Sequence, residues 1–377
     1  MPVAIRPFLW PLVLVAVAAL VYLGRIQREM PDFEVYRTAG VRALSAQPLY
    51  RVSDGHYQFK YLPAFAIGMA PLALVDREAS KVIWFALSAG LLTAFLRWSV
   101  SALPERRRSE RVLLWLTVLF MAKFYAHELT LGQTNIVLGS LIVAALLAAQ
   151  IDQPNLAGAL LGAAVFAKPY ALLLLPWLGF TFGVGPALVG LGVIGGGLVL
   201  PALAYGWSGN VSLLVEWART VTGTTEGNLL GADNVSFAAM WAKWIGVGPA
   251  ATALATTTVG AALGLVAVVW LKRRRVDSPE YLEVALLMLL IPLVSPQGWD
   301  YVLLLATPAV VCLLDRWAEA PRGWRILTGT SLALMGLTVF DLMGRALYGR
   351  FMAMSIVTVA AIGAAAALGY LRWRELA

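Results

Sequence analysis

Long apolar segments separated by short charged clusters repeat along the chain. Twelve of these segments are predicted transmembrane helices, near residues 7–24, 80–99, 111–126, 134–150, 155–168, 170–184, 187–205, 249–271, 281–294, 301–315, 325–342 and 351–371. Several are shorter than the roughly 20 residues that an untilted helix needs to cross a bilayer, so their ends are approximate. The pattern predicts an all-α polytopic membrane protein, with 1–377 forming one integral-membrane domain.

One further apolar segment, "YLPAFAIGMAPLALV" (61–75), is short and contains Pro63 and Pro71. We expect an interfacial or re-entrant helix on the outer face, because a crossing here would move the next basic loop to the opposite side of the membrane. The segment belongs to a long first extracytoplasmic loop, 25–80. A second large outer loop is expected at 206–248.

Basic residues are concentrated in short loops between the predicted spans. The chain is 60% hydrophobic and 13% charged, with a formal net charge of +8, whereas soluble domains average about 25% charged residues. With twelve spans, the basic loops share one side with Arg6; they are "PERRRSER" (104–111), "KRRR" (272–275), "DRWAEAPRGWR" (315–325) and "RWR" (372–374). The positive-inside rule makes that side, with both termini, cytoplasmic. The positive charge therefore indicates topology and contact with anionic membrane lipids, and no nucleic-acid partner is expected.

Metal and cofactor chemistry find little support in the sequence. The one cysteine, Cys312, lies in an apolar run and cannot form a disulfide within the chain or a multi-cysteine metal site. His56 and His127 are isolated and lack the spaced partners of a metal site. The "GGG" at 195–197 lies within an apolar span and is not a phosphate loop. We predict no metal site and no cofactor.

The first outer loop begins with an amphipathic pattern, "MPDFEVYRTAG" and the residues that follow it. At helical spacing, Phe33, Tyr36, Gly40, Ala43 and Leu44 form one stripe, and Arg37, Thr38, Arg42 and Ser45 form the other. This spacing predicts a helix that packs one face and leaves the other polar. Asp32 lies at its start, on the predicted extracytoplasmic side.

Polar side chains gather at the predicted outer ends of the spans. They come from "HELTLGQTN", "FAKPY", "GADNVSF" and "SPQGWDY", and the candidates are His127, Glu128, Gln133, Asn135, Lys168, Asp233, Asn234, Ser236, Ser295, Gln297, Trp299, Asp300 and Tyr301. Ionisable groups in or beside apolar segments are costly unless they are paired or functional. Their placement on one face predicts a site there.

Several motifs occur in the order found in glycosyltransferase family 87, of the GT-C class, which includes a phosphatidylinositol-mannoside mannosyltransferase. The chain resembles that family through "PDFEVYRTAGVRAL…QPLY", "FKYLPAFAIGMAPL", "LGQTN", "GAAVFAKPY" and "LVSPQGWDYVLLLATP". The resemblance implies a GT-C fold, a polyprenyl-phosphate sugar donor, an extracytoplasmic active site and a catalytic base in the first outer loop. One departure is that Asp300 and Tyr301 follow "SPQGW", where a histidine stands in the family pattern.

By this resemblance Asp32 matches the catalytic base, which would take the proton of an acceptor hydroxyl. A competing structural interpretation is that Asp32 caps the helix after Pro31. Lys168 is predicted to bind the donor phosphate, with Arg37 and Lys60 in support. Alternatively Lys168 extends to the lipid headgroups.

The remaining candidates are assigned to the sugar or the acceptor: Glu128, Gln133, Asn135, Asn234, Gln297, Trp299, Asp300 and Tyr301. Structural alternatives stay open for several of them. Glu128 could pair with Lys123 or Arg37, and the Gly-Gln-x-Asn stretch could be an ordinary turn before the next helix. Trp299 and Tyr301 could be interfacial belt residues.

By this resemblance, the sequence predicts an inverting transferase of the plasma membrane. It would move a sugar from polyprenyl phosphate to a glycolipid or cell-envelope glycan, and the resemblance favours mannose as that sugar. A multi-span transporter or lipid flippase is the alternative. That class would show internal repeats and ionisable residues near span centres, and neither feature is evident here.

Overall fold

The computed structural model describes residues 19–374. The predicted first span, 7–24, lies outside the described residues except for its last turn, which is helical. The topology argument from Arg6 likewise concerns a residue outside them. The chain from 19 to 374 is helical and contains no β-strand, only an isolated bridge between Asn234 and Trp299.

The first half of this range contains eight α-helices with both ends described. They are α1 (Pro31–Leu44), α2 (Pro63–Ala73), α3 (Arg77–Ser101), α4 (Glu110–Leu131), α5 (Asn135–Gln150), α6 (Pro154–Ala167), α7 (Leu174–Phe182) and α8 (Val184–Val199). Short 3-10 helices occupy Ile26–Arg28, Val52–Tyr57 and Pro169–Leu173.

The second half continues with eight more α-helices, up to residue 374. They are α9 (Ala202–Asn228), α10 (Phe237–Ile245), α11 (Pro249–Leu271), α12 (Glu280–Val294), α13 (Thr307–Asp315), α14 (Arg322–Gly336), α15 (Phe340–Ala353) and α16 (Ile356–Arg374). The 3-10 helices here are Arg273–Arg275, Asp300–Ala306 and Trp317–Glu319.

Among the described residues, four helices are long and apolar enough to cross a membrane: α3, α4, α11 and α16. Two bent pairs, α8 with α9 (92°) and α14 with α15 (98°), raise the number to six if each pair is one span. The other apolar helices, including α2, α5 and α6, are shorter. The chain is therefore a helical membrane protein, and twelve crossings stay a prediction.

Several predicted spans are interrupted in the structure. The span 325–342 is wrong in its last third, because α14 ends at Gly336 and the chain turns by 98° into α15. The span 351–371 contains the break between α15 and α16. The span 187–205 breaks at Leu200–Pro201, since proline offers no amide donor to continue the helical ladder. The segment 206–248, predicted as an outer loop, is largely helical and is formed by most of α9 and by α10.

Helix α12 runs through the centre of the molecule, and its side chains from Tyr281 to Leu293 are all buried. A helix that is apolar on all sides is buried on all sides. The segment after it, Ser295–Tyr301, therefore emerges from the core. This explains why "SPQGWDY" lies within the site rather than at the periphery.

Helix α1 packs its predicted apolar stripe against α2 and α3. Phe33, Tyr36, Gly40 and Ala43 are buried as predicted, whereas Leu44 is half exposed. The stripe prediction is thus confirmed except at its last residue, where the helix ends.

Candidate active site

The N-terminus of α1 brings Asp32 into the site. Met30 precedes the helix in the left-handed conformation (φ 61°), and its amide donates to the Thr130 carbonyl at 2.9 Å. Such a conformation is costly for a residue with a side chain and persists only where the surroundings hold it. Met30, not Asp32, is the N-cap, and no side chain caps this helix. The capping interpretation of Asp32 is therefore wrong.

The turn between α4 and α5 carries Gln133 to the same place. Gly132 ends α4 with φ +70°, and a Cβ at this position would lie 2.8 Å from Cβ of Phe33. Only glycine fits both the backbone angle and the close approach of α1. The Gly132 carbonyl also accepts from the Trp84 indole at 2.9 Å, which ties the turn to α3.

Gln133 is buried and connects Asp32 to three tyrosines. Its Nε2 donates to Asp32 Oδ2 at 2.7 Å and lies 3.3 Å from the Tyr301 hydroxyl. Its Oε1 accepts from the hydroxyls of Tyr36 (3.1 Å) and Tyr61 (3.4 Å), which contact each other at 2.7 Å. Since both ends of the amide are occupied, Gln133 orients the Asp32 carboxylate rather than offering a free group to a sugar.

Two lysines, Lys168 and Lys60, interact electrostatically with the Asp32 carboxylate. Lys168 follows α6 in extended conformation, and its Nζ lies 5.7 Å from the centre of the Tyr301 ring. Burial raises the pKa of the Asp32 carboxyl, and the hydrogen bond from Gln133 and the charge of Lys168 oppose that rise. Burial lowers the pKa of the Lys60 ammonium, while the nearby Asp32 carboxylate acts in the opposite direction. Lys168 and Lys60 thus both lie near Asp32, and their binding of the donor phosphate stays a prediction.

A histidine and an acid lie beside this group. Asp300 is buried, and its Oδ1 is 3.6 Å from Nδ1 of His127, whose side chain is 40% exposed. The His127 ring contacts Tyr301 edge to face at 5.5 Å. Asp300 is held by its own amide, which donates to the Asp233 carbonyl at 2.8 Å. His127, from α4, thus lies beside Asp300, which follows "SPQGW" in the sequence.

Glu128 and Asn135 have structural roles. Glu128 is buried, accepts from the Ile136 amide at 2.8 Å and from Asn135 Nδ2 at 2.7 Å, and so caps the start of α5. It does not pair with Lys123 or Arg37, as the alternative interpretation proposed. Lys123 instead donates to the Thr338 carbonyl at 3.3 Å. The Gly-Gln-x-Asn motif is therefore both a turn and part of the site.

Three predicted ligands point elsewhere. Arg37 donates to the Val75 carbonyl at 3.0 Å, because its position on α1 faces away from Asp32. Asn234 donates to the carbonyls of Asn228, Leu229 and Pro296 and accepts from the Ser236 amide, so its side chain fastens the 228–236 loop. Gln297 donates to Thr225 Oγ1 at 2.7 Å. Trp299 packs against Gly231 near this loop.

Sequence reasoning assigned no role in the site to four contributors, Tyr36, Tyr61, His127 and Asp233, although it placed the last two on the outer face. The tyrosines were read only as apolar or unassigned positions, and His127 was set aside because it has no partner nearby in sequence. Asp233 comes to the site because backbone hydrogen bonds join 233–235 to 298–300. Burial and the charge of Asp300 raise the pKa of the Asp233 carboxyl. None of these contacts leaves a spacing signal in the sequence.

No group of three or more histidine, cysteine, aspartate or glutamate side chains within residues 19–374 is arranged to hold a metal ion. Cys312 is buried in the core.

Comparison with known proteins identifies one family. The model of glycosyltransferase family 87 matches residues 59–296, more than half of the chain. This range contains Gln133 and Lys168, whereas Asp32 precedes it by 27 residues and Asp300 follows it by four. Neither the curated proteins nor the solved structures gave a match.

Proposed function

Because the chain belongs to glycosyltransferase family 87, we propose that it is an inverting, polyprenyl-phosphate-sugar-dependent transferase. Mannose is the proposed sugar, and the acceptor is a hydroxyl of a glycolipid or cell-envelope glycan at the extracytoplasmic face of the plasma membrane. The family makes the protein a glycosyltransferase, which argues against the transporter alternative. The donor, the sugar and the acceptor are part of the proposal.

The observation that carries the proposal is the Asp32 carboxylate, held by Gln133 at 2.7 Å in a cluster that also contains Lys168 and His127. A partly desolvated carboxylate beside cations is suited to general-base catalysis, because it can take a proton when it is correctly positioned. Its position in the first turn of α1 also brings the positive end of the helix dipole to it.

In the proposed step, the acceptor oxygen forms a bond to the anomeric carbon while its proton passes to Asp32. The bond between that carbon and the phosphate oxygen breaks, and polyprenyl phosphate leaves with the electron pair. Attack on the face opposite the phosphate inverts the configuration with a single carboxylate acting as base. A phosphate is a stable leaving group, so no strong acid is required.

Negative charge on the departing phosphate needs fixed cations. Lys168 supplies one, because its ammonium lies over the Tyr301 ring and close enough to Asp32 to interact with its charge. His127 is assigned as the second, since the buried Asp300 carboxylate beside Nδ1 favours the imidazolium. The other ring nitrogen is then free to donate to phosphate.

The test is sugar transfer by purified protein in lipid, with short-chain polyprenyl-phosphate mannose as donor and a membrane-lipid extract as acceptor. Asp32→Asn should reduce transfer by about 10²–10⁴-fold, the range typical of a lost general base. The variant keeps an oxygen that can accept from Gln133. Because Asp32 does not cap α1, the helix start should be unaffected.

Glu34→Gln is the matched control. Glu34 lies in the same first turn but pairs with Arg77 (2.8 Å) and Lys81 (3.1 Å), away from the cluster. It removes the same charge without changing a group that contacts Gln133, so transfer should fall far less than in Asp32→Asn. Equal loss in both variants would mean that the charge at the helix start matters and the base does not. Full activity of Asp32→Asn would exclude Asp32 as the base.

A further inference from the structure

A cavity of about 380 Å³ lies along α1, from Pro31 to Arg42. One wall is α1, with Pro31, Thr38 and Arg42, and the other is the segment after Val52, with Asp54, Tyr57 and Phe59. Its volume falls within the range of about 300–1,000 Å³ that small-molecule sites occupy. None of the residues assigned above to the base or the phosphate lines it.

The cavity leads to Asp32 from both walls. Asp32 directly follows Pro31, so on a helix of 3.6 residues per turn it lies at the edge of the lining face. From the other wall, His56 and Lys60 lie close enough to Asp32 for their charges to interact with it. A molecule in the cavity would therefore lie close to Asp32.

The charges in the lining are already paired. Arg42 binds Asp54 through both guanidinium nitrogens, with Nη2 2.8 Å from Oδ1. Glu34 also lines the cavity and pairs with Arg77 and Lys81. Paired charges leave hydrogen-bonding groups on a largely apolar wall, with little net attraction for an anion.

The remaining lining suits a sugar. The Tyr57 ring is 56% exposed, and Thr38 adds an exposed hydroxyl on the facing helix. An exposed aromatic face is electron-rich and packs against the polarised C–H groups of a pyranose or furanose ring. Hydroxyl, guanidinium and carboxylate groups around it match sugar hydroxyls. An aromatic surface with a few fixed polar groups is typical of small-molecule recognition.

We propose that this cavity binds the neutral glycan of the acceptor and presents one of its hydroxyls to Asp32. The proposal rests on the proposed function, because it names the acceptor site of that reaction. It separates the two substrates in space: the donor phosphate lies toward Lys168, and the acceptor enters between α1 and the segment 54–59.

The test is binding of soluble mannotriose and arabinotriose methyl glycosides to the native protein in lipid nanodiscs, followed by saturation-transfer NMR. Thr38→Trp fills the cavity from an exposed position, and Tyr57→Ala removes the stacking surface. Each should raise the Kd of the bound glycan by about tenfold or more, as expected for loss of a central aromatic contact. Val52→Ala is the control, because Val52 is 84% exposed on the same 3-10 helix and does not line the cavity.

The binding test does not require catalysis. Asp32→Asn keeps a polar side chain of the same size and should still bind the glycan, and a cooperative thermal transition at or above the native midpoint confirms that each variant is folded. Glycan binding that both cavity variants weaken, without any transfer, would support the cavity and count against the proposed reaction. No binding of either glycan, or binding that Thr38→Trp leaves unchanged, would overturn the cavity proposal even if transfer is observed.

Discussion

Gln133→Leu should reduce the ionised fraction of the proposed base, Asp32, without removing its carboxyl group. The amide nitrogen of Gln133 is 2.7 Å from Asp32 Oδ2, and leucine fills a similar volume with no donor. The hydroxyls of Tyr36 and Tyr61 lose the shared acceptor but still contact each other at 2.7 Å. The variant should therefore fold, with a free energy of unfolding lower by about 1–3 kcal/mol for the lost buried hydrogen bonds.

The catalytic effect follows from the negative charge on Asp32, which accepts this hydrogen bond. A hydrogen bond to an ionised group contributes about 1.5–3 kcal/mol, which equals about a tenfold to hundredfold change in the ionisation equilibrium of Asp32. Burial already raises the pKa of Asp32, and the Gln133 bond holds it down. Without that bond the pKa rises further, so a smaller fraction of Asp32 is ionised at a given pH. The acid limb of kcat/KM should move to higher pH.

The assay is a pH profile of kcat/KM for transfer, with Gln297→Leu as the matched control. Gln297 is another partly buried glutamine, but it donates to Thr225 Oγ1 at 2.7 Å and does not contact Asp32. Its variant should lose stability and keep the native acid limb. An unchanged acid limb in Gln133→Leu would refute the idea that Gln133 sets the ionisation of Asp32. A shift of equal size in both variants would attribute it to general destabilisation.

Three further changes test the site. Asp32→Asn should raise the thermal midpoint at neutral pH, because burial raises the pKa of this carboxyl and its ionisation costs stability. The increase in thermal midpoint should shrink as the pH falls through the raised pKa of folded Asp32. It should vanish below the pKa of an aspartate in the unfolded chain. Gly132→Ala should lower the free energy of unfolding by about 1–3 kcal/mol in a denaturant titration, since φ is +70° and the new Cβ would lie 2.8 Å from Phe33; native stability would contradict this close approach. Lys168→Met should raise KM for the donor, whereas Arg37→Met should leave it unchanged because Arg37 is bound to a backbone carbonyl; equal effects would argue against Lys168 as the phosphate ligand.

The local pattern was enough to predict the helices and part of the site. Apolar runs of helical length place most of the helices near their observed positions, because each helix satisfies its own backbone within the segment. The amphipathic spacing in 33–43 likewise predicts the buried face of α1. Asp32, Lys168 and Tyr301 were identifiable because ionisable and polar groups stand out beside apolar segments.

Side-chain partners required the folded chain. Arg37, Asn234 and Gln297 were predicted ligands, as Gln133 was. In the structure, Arg37 and Asn234 bind backbone carbonyls and Gln297 binds Thr225 of a neighbouring helix. His127 looked isolated and lies beside Asp300. The reason is that sequence periodicity specifies which face of an element is apolar, while the pairing of polar groups depends on contacts between residues far apart in the chain. The 2.7 Å contact from Gln133 to Asp32 joins residues separated by 101 positions, and only the packing of α1 against the α4–α5 turn brings them together.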